Sequence, residues 1–476
     1  GKQLDYTGSN TMKQLTLEQH RARIENLRRV TEDTKKCTRD WRIHDYLPGQ
    51  VTYYLGDYPA LMSITPTEYD YKLLKSYAEN GVGLVQVHEE WNDTIEKYGS
   101  DKWHSCDHEG MNRFIDLCHS FGLKIIPYCS SSYIHEGSKY YQERFSRSFN
   151  GCVDMHYKYR LGWAGSEYWR DFILPKTFGI LDTYAFDGIY NDWGYDWDLS
   201  RMLSVPENRR NCDIEPVDCY DPEAEDLIHM IYSGVKDRGG IYKLHVGGNT
   251  RGFVRGKYYD YLWIGEGEYS VDCGKGKMYE PYVVPCPDKP RLTKHGQERF
   301  DPELFFAMTI PFVQFPLLTH GRPTMGKCID VPGVKQYKTT DRDRLYQYFR
   351  RVRDYAEKHP DGPYVYSEWS QIPDDPDEYT VWSRYLRLYK PMVEDESVVH
   401  MEIRETAAVL SPIPETVYIT QFTNTGDYIV VSNMADEPYM LETRDLWQNR
   451  ETGDCGKRFE VPAKRMLFLV RRESGA

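Results

Sequence analysis

Two stretches of the 476-residue chain set carboxylates at the end of a short apolar run. Phe186-Asp187-Gly188-Ile189-Tyr190-Asn191-Asp192-Trp193-Gly194 delivers Asp192, and Trp263-Ile264-Gly265-Glu266-Gly267-Glu268 delivers a pair of glutamates. Side chains alternate across a strand, so Tyr190 and Asp192 share one side with Asn191 on the other, and Glu266 and Glu268 stand together on theirs. Other runs of this kind end in Asp57, in His88-Glu89-Glu90-Trp91, in Tyr128, in His245 and Asn249, in His320 and Arg322, and in Glu368-Trp369. Taken singly, each has an ordinary structural reading, since Asp closes turns and a lone imidazole is usually satisfied in a core. Together they put acids, imidazoles and indoles on one rim. Glycoside cleavage asks for such a set: a carboxyl that protonates the departing oxygen, a carboxylate that attacks or activates water, and hydrogen-bonding groups for the hydroxyls.

The elements that position these residues are short strands alternating with helices. Strands are predicted at 51–57, 82–91, 123–129, 186–192, 241–246, 259–266, 310–318 and 364–368. Helices are predicted at about 67–80, 109–121, 166–184, 221–238, 301–308, 340–359 and 378–393, with stop signals such as Asn80-Gly81 and starts such as Asp221-Pro222-Glu223. Eight strands alternating with helices, and apolar enough to be buried on both faces, predict a closed (β/α)8 TIM barrel of the α/β class. In a barrel of that kind the chemistry sits at the carboxyl ends of the strands, where Asp192 falls. An open doubly wound sheet is the alternative, but no G-x-G-x-x-G or Walker sequence occurs. After about Val398 the pattern becomes short strands alone, at 416–422, 428–432, 439–443 and 466–471, which predicts a C-terminal antiparallel β-sandwich. The expected domains are an N-terminal extension (1–45) with a helix at about 16–30, the catalytic barrel (46–397) and the β-sandwich (398–476).

Asp187-Gly188-Ile189-Tyr190-Asn191-Asp192 resembles the fourth-strand D-x-x-x-x-D element of the barrel α-glycosidases of glycoside hydrolase clan D, the α-galactosidase and α-N-acetylgalactosaminidase group, and more loosely the related α-glucosidase barrels. The resemblance spans the barrel and the trailing β-domain in architecture and one short motif in sequence. It implies a retaining glycosidase acting on an α-linked sugar, with Asp192 as nucleophile and the acid/base after the sixth strand, at Glu266 with Glu268 as alternate. Two neighbouring carboxyls disfavour a second charge and so hold a donor protonated. Trp91, Tyr128, Trp193 and Trp263 would then frame the sugar, and Asp57, His88, Glu89, Asn191, His245, Asn249 and His320 would bind it. The chain departs from the group in having Tyr190 where the group has a lysine, and a glutamate pair where it has an aspartate preceded by arginine.

Composition narrows the remaining classes. A net charge of -13 disfavours nucleic acid and anionic membranes as partners, and the aromatic share, 14% with 40 Tyr and 11 Trp, suits a carbohydrate partner. No apolar run reaches the roughly 18 residues a membrane span needs, so a soluble chain is expected, cytoplasmic or exported, with any signal peptide lying ahead of Gly1. The 11 cysteines hold no C-x-x-C pair, which predicts few disulfides, and no cofactor motif or H-E-x-x-H metal motif occurs, so no cofactor and no metal are expected. Metal-assisted hydrolysis through His88, Glu89, His245 and His320 therefore lacks a motif. A catalytically inactive carbohydrate-binding barrel is the alternative function, favoured by the two departures above. No aromatic pattern sets an oligomeric state.

Overall fold

Strands as short and apolar as Leu84-Val85-Gln86-Val87 leave no side for water, and they are stable only with neighbours on both edges and both faces. The computed structural model of the chain describes residues 14–55, 63–93, 101–135, 138–146, 152–154, 158–193, 221–245, 256–265, 277, 279–287, 301–322, 329–330, 358, 365–366 and 378–474. In it eight parallel strands form one sheet: β1 (Gln50–Tyr54), β2 (Leu84–Val87), β3 (Lys124–Cys129), β4 (Gly188–Asp192), β5 (Ile241–His245), β6 (Tyr261–Ile264), β7 (Val284–Pro285) and β8 (Leu318–Gly321). They lie side by side in chain order from β1 to β7, with β8 beside β1. Leu317 N donates to Pro285 O at 2.8 Å, which ties the β7 edge to the segment entering β8 and closes the ring. The predicted barrel is the observed fold.

Alternation decides what each strand residue sees. On β1 the Tyr53 hydroxyl donates outward to Asp70 at 2.5 Å, so Gln50, Thr52 and Tyr54 face the barrel interior. The outer layer is built from α2 (Glu68–Glu79), α3 (His108–Ser120), α4 (Glu167–Thr183), α5 (Pro222–Asp237), α6 (Pro302–Thr309) and α7 (Glu378–Tyr389), after an N-terminal α1 (Leu17–Asp33). Their starts are written in the sequence: Thr67 and Asp70 form a capping box on α2, Asp107 caps α3, and Asp221 and Asp301 cap α5 and α6 ahead of a proline. Each such cap contributes about 1 kcal/mol and fixes where the chain turns into its helix.

The C-terminal part is a seven-stranded antiparallel sheet made of Arg39–Arg42 followed by β9 (Val398–Met401), β10 (Val417–Thr423), β11 (Asp427–Asn433), β14 (Arg465–Arg471), β12 (Tyr439–Asn449) and β13 (Cys455–Val461). Its two faces bury different neighbours. Tyr418, Phe422, Val430 and Phe468 join the barrel core, while Val417, Ile419, Ile429, Val431 and Leu469 form a smaller core with Leu441 and Trp447. Thr420 Oγ1 donates to Pro311 O at 2.7 Å and pins the sheet to the barrel.

The last two barrel strands are not the predicted ones. The apolar run Ile310–Leu318 starts as a 3-10 turn (Ile310–Phe312) at the end of α6, Val313 takes a left-handed φ of 58°, and only Leu318 enters a strand. The true seventh strand is two residues inside the Gly/Pro-rich stretch before it. Val365–Tyr366 pairs antiparallel with Ile329–Asp330, outside the eight-stranded sheet. The predicted helix 340–359 falls outside the described residues apart from Lys358.

Candidate active site

Register begins at Gly188. Its φ is +158°, and a Cβ there would meet the Ile241 carbonyl oxygen, so glycine alone lets β4 lie against β5 at this point. The pairing that follows sets Tyr190 beside Lys243 and Asp192 beside His245, while β6 continues it with Trp263 beside His245. Asp192, His245 and Trp263 therefore occupy one level at the carboxyl ends of three adjacent strands.

Side-chain contacts extend that level into an arc. The Tyr54 ring lies 5.3 Å from His88 and His88 lies 5.4 Å from Tyr128, centroid to centroid. Tyr128 Oη donates to Asp192 Oδ2 at 2.7 Å, His245 Nδ1 lies 3.0 Å from Asp192 Oδ1, and the His245 ring packs against Trp263 at 4.2 Å. One residue from the end of each strand β1 to β6 is present, with a single carboxylate in the middle. Asp192 keeps 19% of its side chain exposed, and among the described residues no lysine or arginine pairs with it. Ser130 Oγ donates to the Asp192 carbonyl at 2.8 Å, and Trp193 N donates to His245 O at 2.8 Å, so the backbone on both sides is held as well.

Burial pushes the Tyr128 hydroxyl well above the usual phenol range, and the Asp192 charge adds to this. Tyr128 therefore stays a neutral donor. Its hydroxyl also meets that of Tyr133. A carboxylate fixed at both oxygens but open to solvent is oriented for attack on, or electrostatic support of, a cationic carbon, and the aromatic wall beside it suits a flat, C-H-rich ligand face.

Solved structures share this architecture. An α-glucosyl transfer enzyme superposes with a TM-score of 0.54 at 10% identity, covering 89% of this chain and 99% of that one. An α-amylase from Geobacillus thermoleovorans, complexed with acarbose, gives 0.52 at 8% identity over 90% and 98%. A maltogenic α-amylase from Thermotoga neapolitana gives 0.51 at 11% identity over 90% and 99%. The fold is that of the α-amylase-type barrels. No protein-family model matches the sequence, and no curated protein matches it.

The predicted residues divide into four groups. Tyr128, Asp192, His245, Trp263 and His88 come together in the arc. Glu89 is buried in the 3-10 turn Glu89–Trp91 that follows β2. Asp57, Asn249, Glu266 and Glu268 lie outside the described residues. Four others are buried or turned to the outer side of the sheet. Asn191 is fully buried on the outer side of β4, bonded to Ser131 and Tyr242. His320 also points outward, with Nδ1 2.5 Å from Tyr77 Oη and its ring against Tyr379. Trp91 and Trp193 are fully buried; Trp91 packs on Tyr184 and Phe186 and donates its indole N–H to Tyr128 O. Being next to a strand end is therefore not enough: the wrong parity turns a side chain into the helical layer.

Two residues of the site were missed. Tyr54 has the inward parity of β1 and was readable from it. Lys243 lies one level below His245 on the same side of β5, fully buried, with Nζ 5.6 Å from the Tyr190 ring and no hydrogen-bond partner among the described residues. Burial brings its ammonium down to about 7. A lysine at an inward position of the strand Ile241-Tyr242-Lys243-Leu244-His245 was its signal.

Proposed function

We propose that the chain is a retaining glycoside hydrolase acting on an α-linked sugar, with Asp192 as nucleophile and Glu266, or Glu268, as acid/base. The observation that carries this reading is the arc of six consecutive strand ends closing on one oriented, partly exposed carboxylate. Support for the substrate class comes from the shared fold, since structures with TM-scores above 0.5 include amylases and a glucosyl transfer enzyme. The D-x-x-x-x-D element argues for the α-galactoside side of the same chemistry, and Trp263 supplies an aromatic face either sugar accepts. In this mechanism Asp192 attacks the anomeric carbon and forms a glycosyl ester. The glutamate protonates the departing oxygen, then takes a proton from the water that hydrolyses the ester. Tyr128 and His245 hold the nucleophile in line, and Lys243 adds polarity beneath it.

The test is turnover of paired aryl α- and β-glycosides of glucose and galactose, with the anomer of the first product read by NMR. Asp192→Asn is expected to abolish turnover with an unchanged melting curve. Glu266→Gln against Glu268→Gln assigns the donor, because a good leaving group restores the first step only when the true acid is lost. Binding of sugar without release of any aglycone would replace this reading with a binding barrel.

A further inference from the structure

Away from the barrel rim, the pairing of Arg39–Arg42 with β9 sets Asp40 directly opposite His400. The turn ahead of that strand is tied to the same neighbour: Thr38 N and Oγ1 donate to Met401 O at 2.9 and 3.1 Å, and Arg404 N donates to Lys36 O at 2.8 Å. Cys37 is thereby held over the Asp40–His400 pair. Its Sγ donates to Asp40 Oδ1 at 3.2 Å, and His400 Nδ1 bonds to that same oxygen. One ligand atom from each of the three lies within 4.8 Å of the other two.

We propose that Cys37, Asp40 and His400 bind a zinc ion that fastens the edge strand Arg39–Arg42 of the seven-stranded sheet to its neighbour β9. Tetrahedral zinc with sulfur at about 2.3 Å and nitrogen and oxygen at about 2.0 Å keeps ligand atoms roughly 3.5 Å apart, and the three ligand atoms here already lie within 4.8 Å of one another. A thiolate, an imidazole and one carboxylate form a borderline donor set that favours zinc or cobalt over magnesium or calcium. Charge also closes: the thiol proton leaves to solvent, the imidazole keeps one proton on Nε2, and thiolate plus carboxylate neutralise the dication. His400 is 9% exposed and Asp40 67%, so the ion would rest on the buried imidazole and enter past the carboxylate, where water completes the fourth position. The second trio in the same part of the fold, His44, Asp45 and Asp395, has no soft donor and two strongly exposed members, as ordinary surface charges do.

The full chain, stripped with a chelator, is titrated with zinc by calorimetry and with cobalt by absorption. One equivalent of zinc is expected, with a rise in melting temperature and a near-ultraviolet thiolate-to-cobalt charge-transfer band. Cys37→Ser, at a partly exposed position, should remove the band and weaken zinc by at least about 10-fold, and His400→Gln should do the same. Absence of the band in the unaltered chain, or zinc affinity and melting temperature that survive Cys37→Ser, would overturn the site. So would zinc binding that falls only in His44→Gln, which would place the ion at the exposed trio.

Discussion

Asp70 and Asp192 are both aspartates of the barrel layers, and they are solvated in opposite ways. Asp70 is completely buried on α2 and fully matched: Arg322 from the end of β8 meets it with two nitrogens at 3.0 and 2.7 Å, Tyr53 donates at 2.5 Å and Thr67 donates from both its N–H and its hydroxyl. Burial pushes this carboxyl up, but the Arg322, Tyr53 and Thr67 bonds outweigh it and hold the group below the ordinary range. Asp192 has two donors, partial exposure and no cation beside it among the described residues. The difference separates a carboxylate that holds a fold together from one that has interactions still to make.

That contrast can be broken at its strongest point first. Asp192→Asn should lower turnover by roughly 10³-fold or more, as loss of a nucleophile does, with little change in urea midpoint. Asp70→Asn should do the reverse, lowering stability by about 3–5 kcal/mol because Arg322 is left without its counter-charge, while the KM of any surviving folded fraction stays put. Substituting Lys243, whose ammonium is buried and has no hydrogen-bond partner among the described residues, should move stability the other way. Lys243→Met is expected to stabilise the protein at pH 6 by about 1–4 kcal/mol in urea unfolding. The sign follows from its lowered value: between about 7 and the ordinary lysine range the unfolded chain binds a proton the native chain does not, so native stability from this group rises with pH there, and the penalty is complete below about 7. The variant should lose that slope. The smallest effect is Tyr128→Phe, which removes one donor to the Asp192 carboxylate and should cost about 10-fold in kcat, with the melting curve nearly unmoved.

The fold was legible where local signals agreed. Starts such as Thr67 and Asp221, stops such as Asn80-Gly81 and apolar runs such as those before Asp192 and His245 made the first six predicted strands and six of the predicted helices legible. Those six strands fall on β1 to β6 of the barrel sheet in the order predicted. β7 was not legible, because two residues, one of them proline, carry no periodicity. The run Ile310–Leu318 misled for the complementary reason, since an unbroken apolar stretch reads the same whether it becomes a strand or a buried turn. In the candidate site, the predicted residues at strand ends differ chiefly in which side of the sheet they take. Asn191 and His320 sit at the correct height with the wrong parity, and the alternation that places Asp192 inward already sends Asn191 out. Lys243 escaped because a lysine within an apolar strand is normally discounted, although in a barrel an inward position two residues before a rim residue lies directly beneath the chemistry.

The seven-stranded sheet lends one of its faces, through Phe422, Val430 and Phe468, to the same apolar mass that holds the barrel together. A cut ahead of β9 would therefore uncover apolar barrel surface as well as remove most of the sheet, and calorimetry of the whole chain should show both parts melting in one cooperative transition.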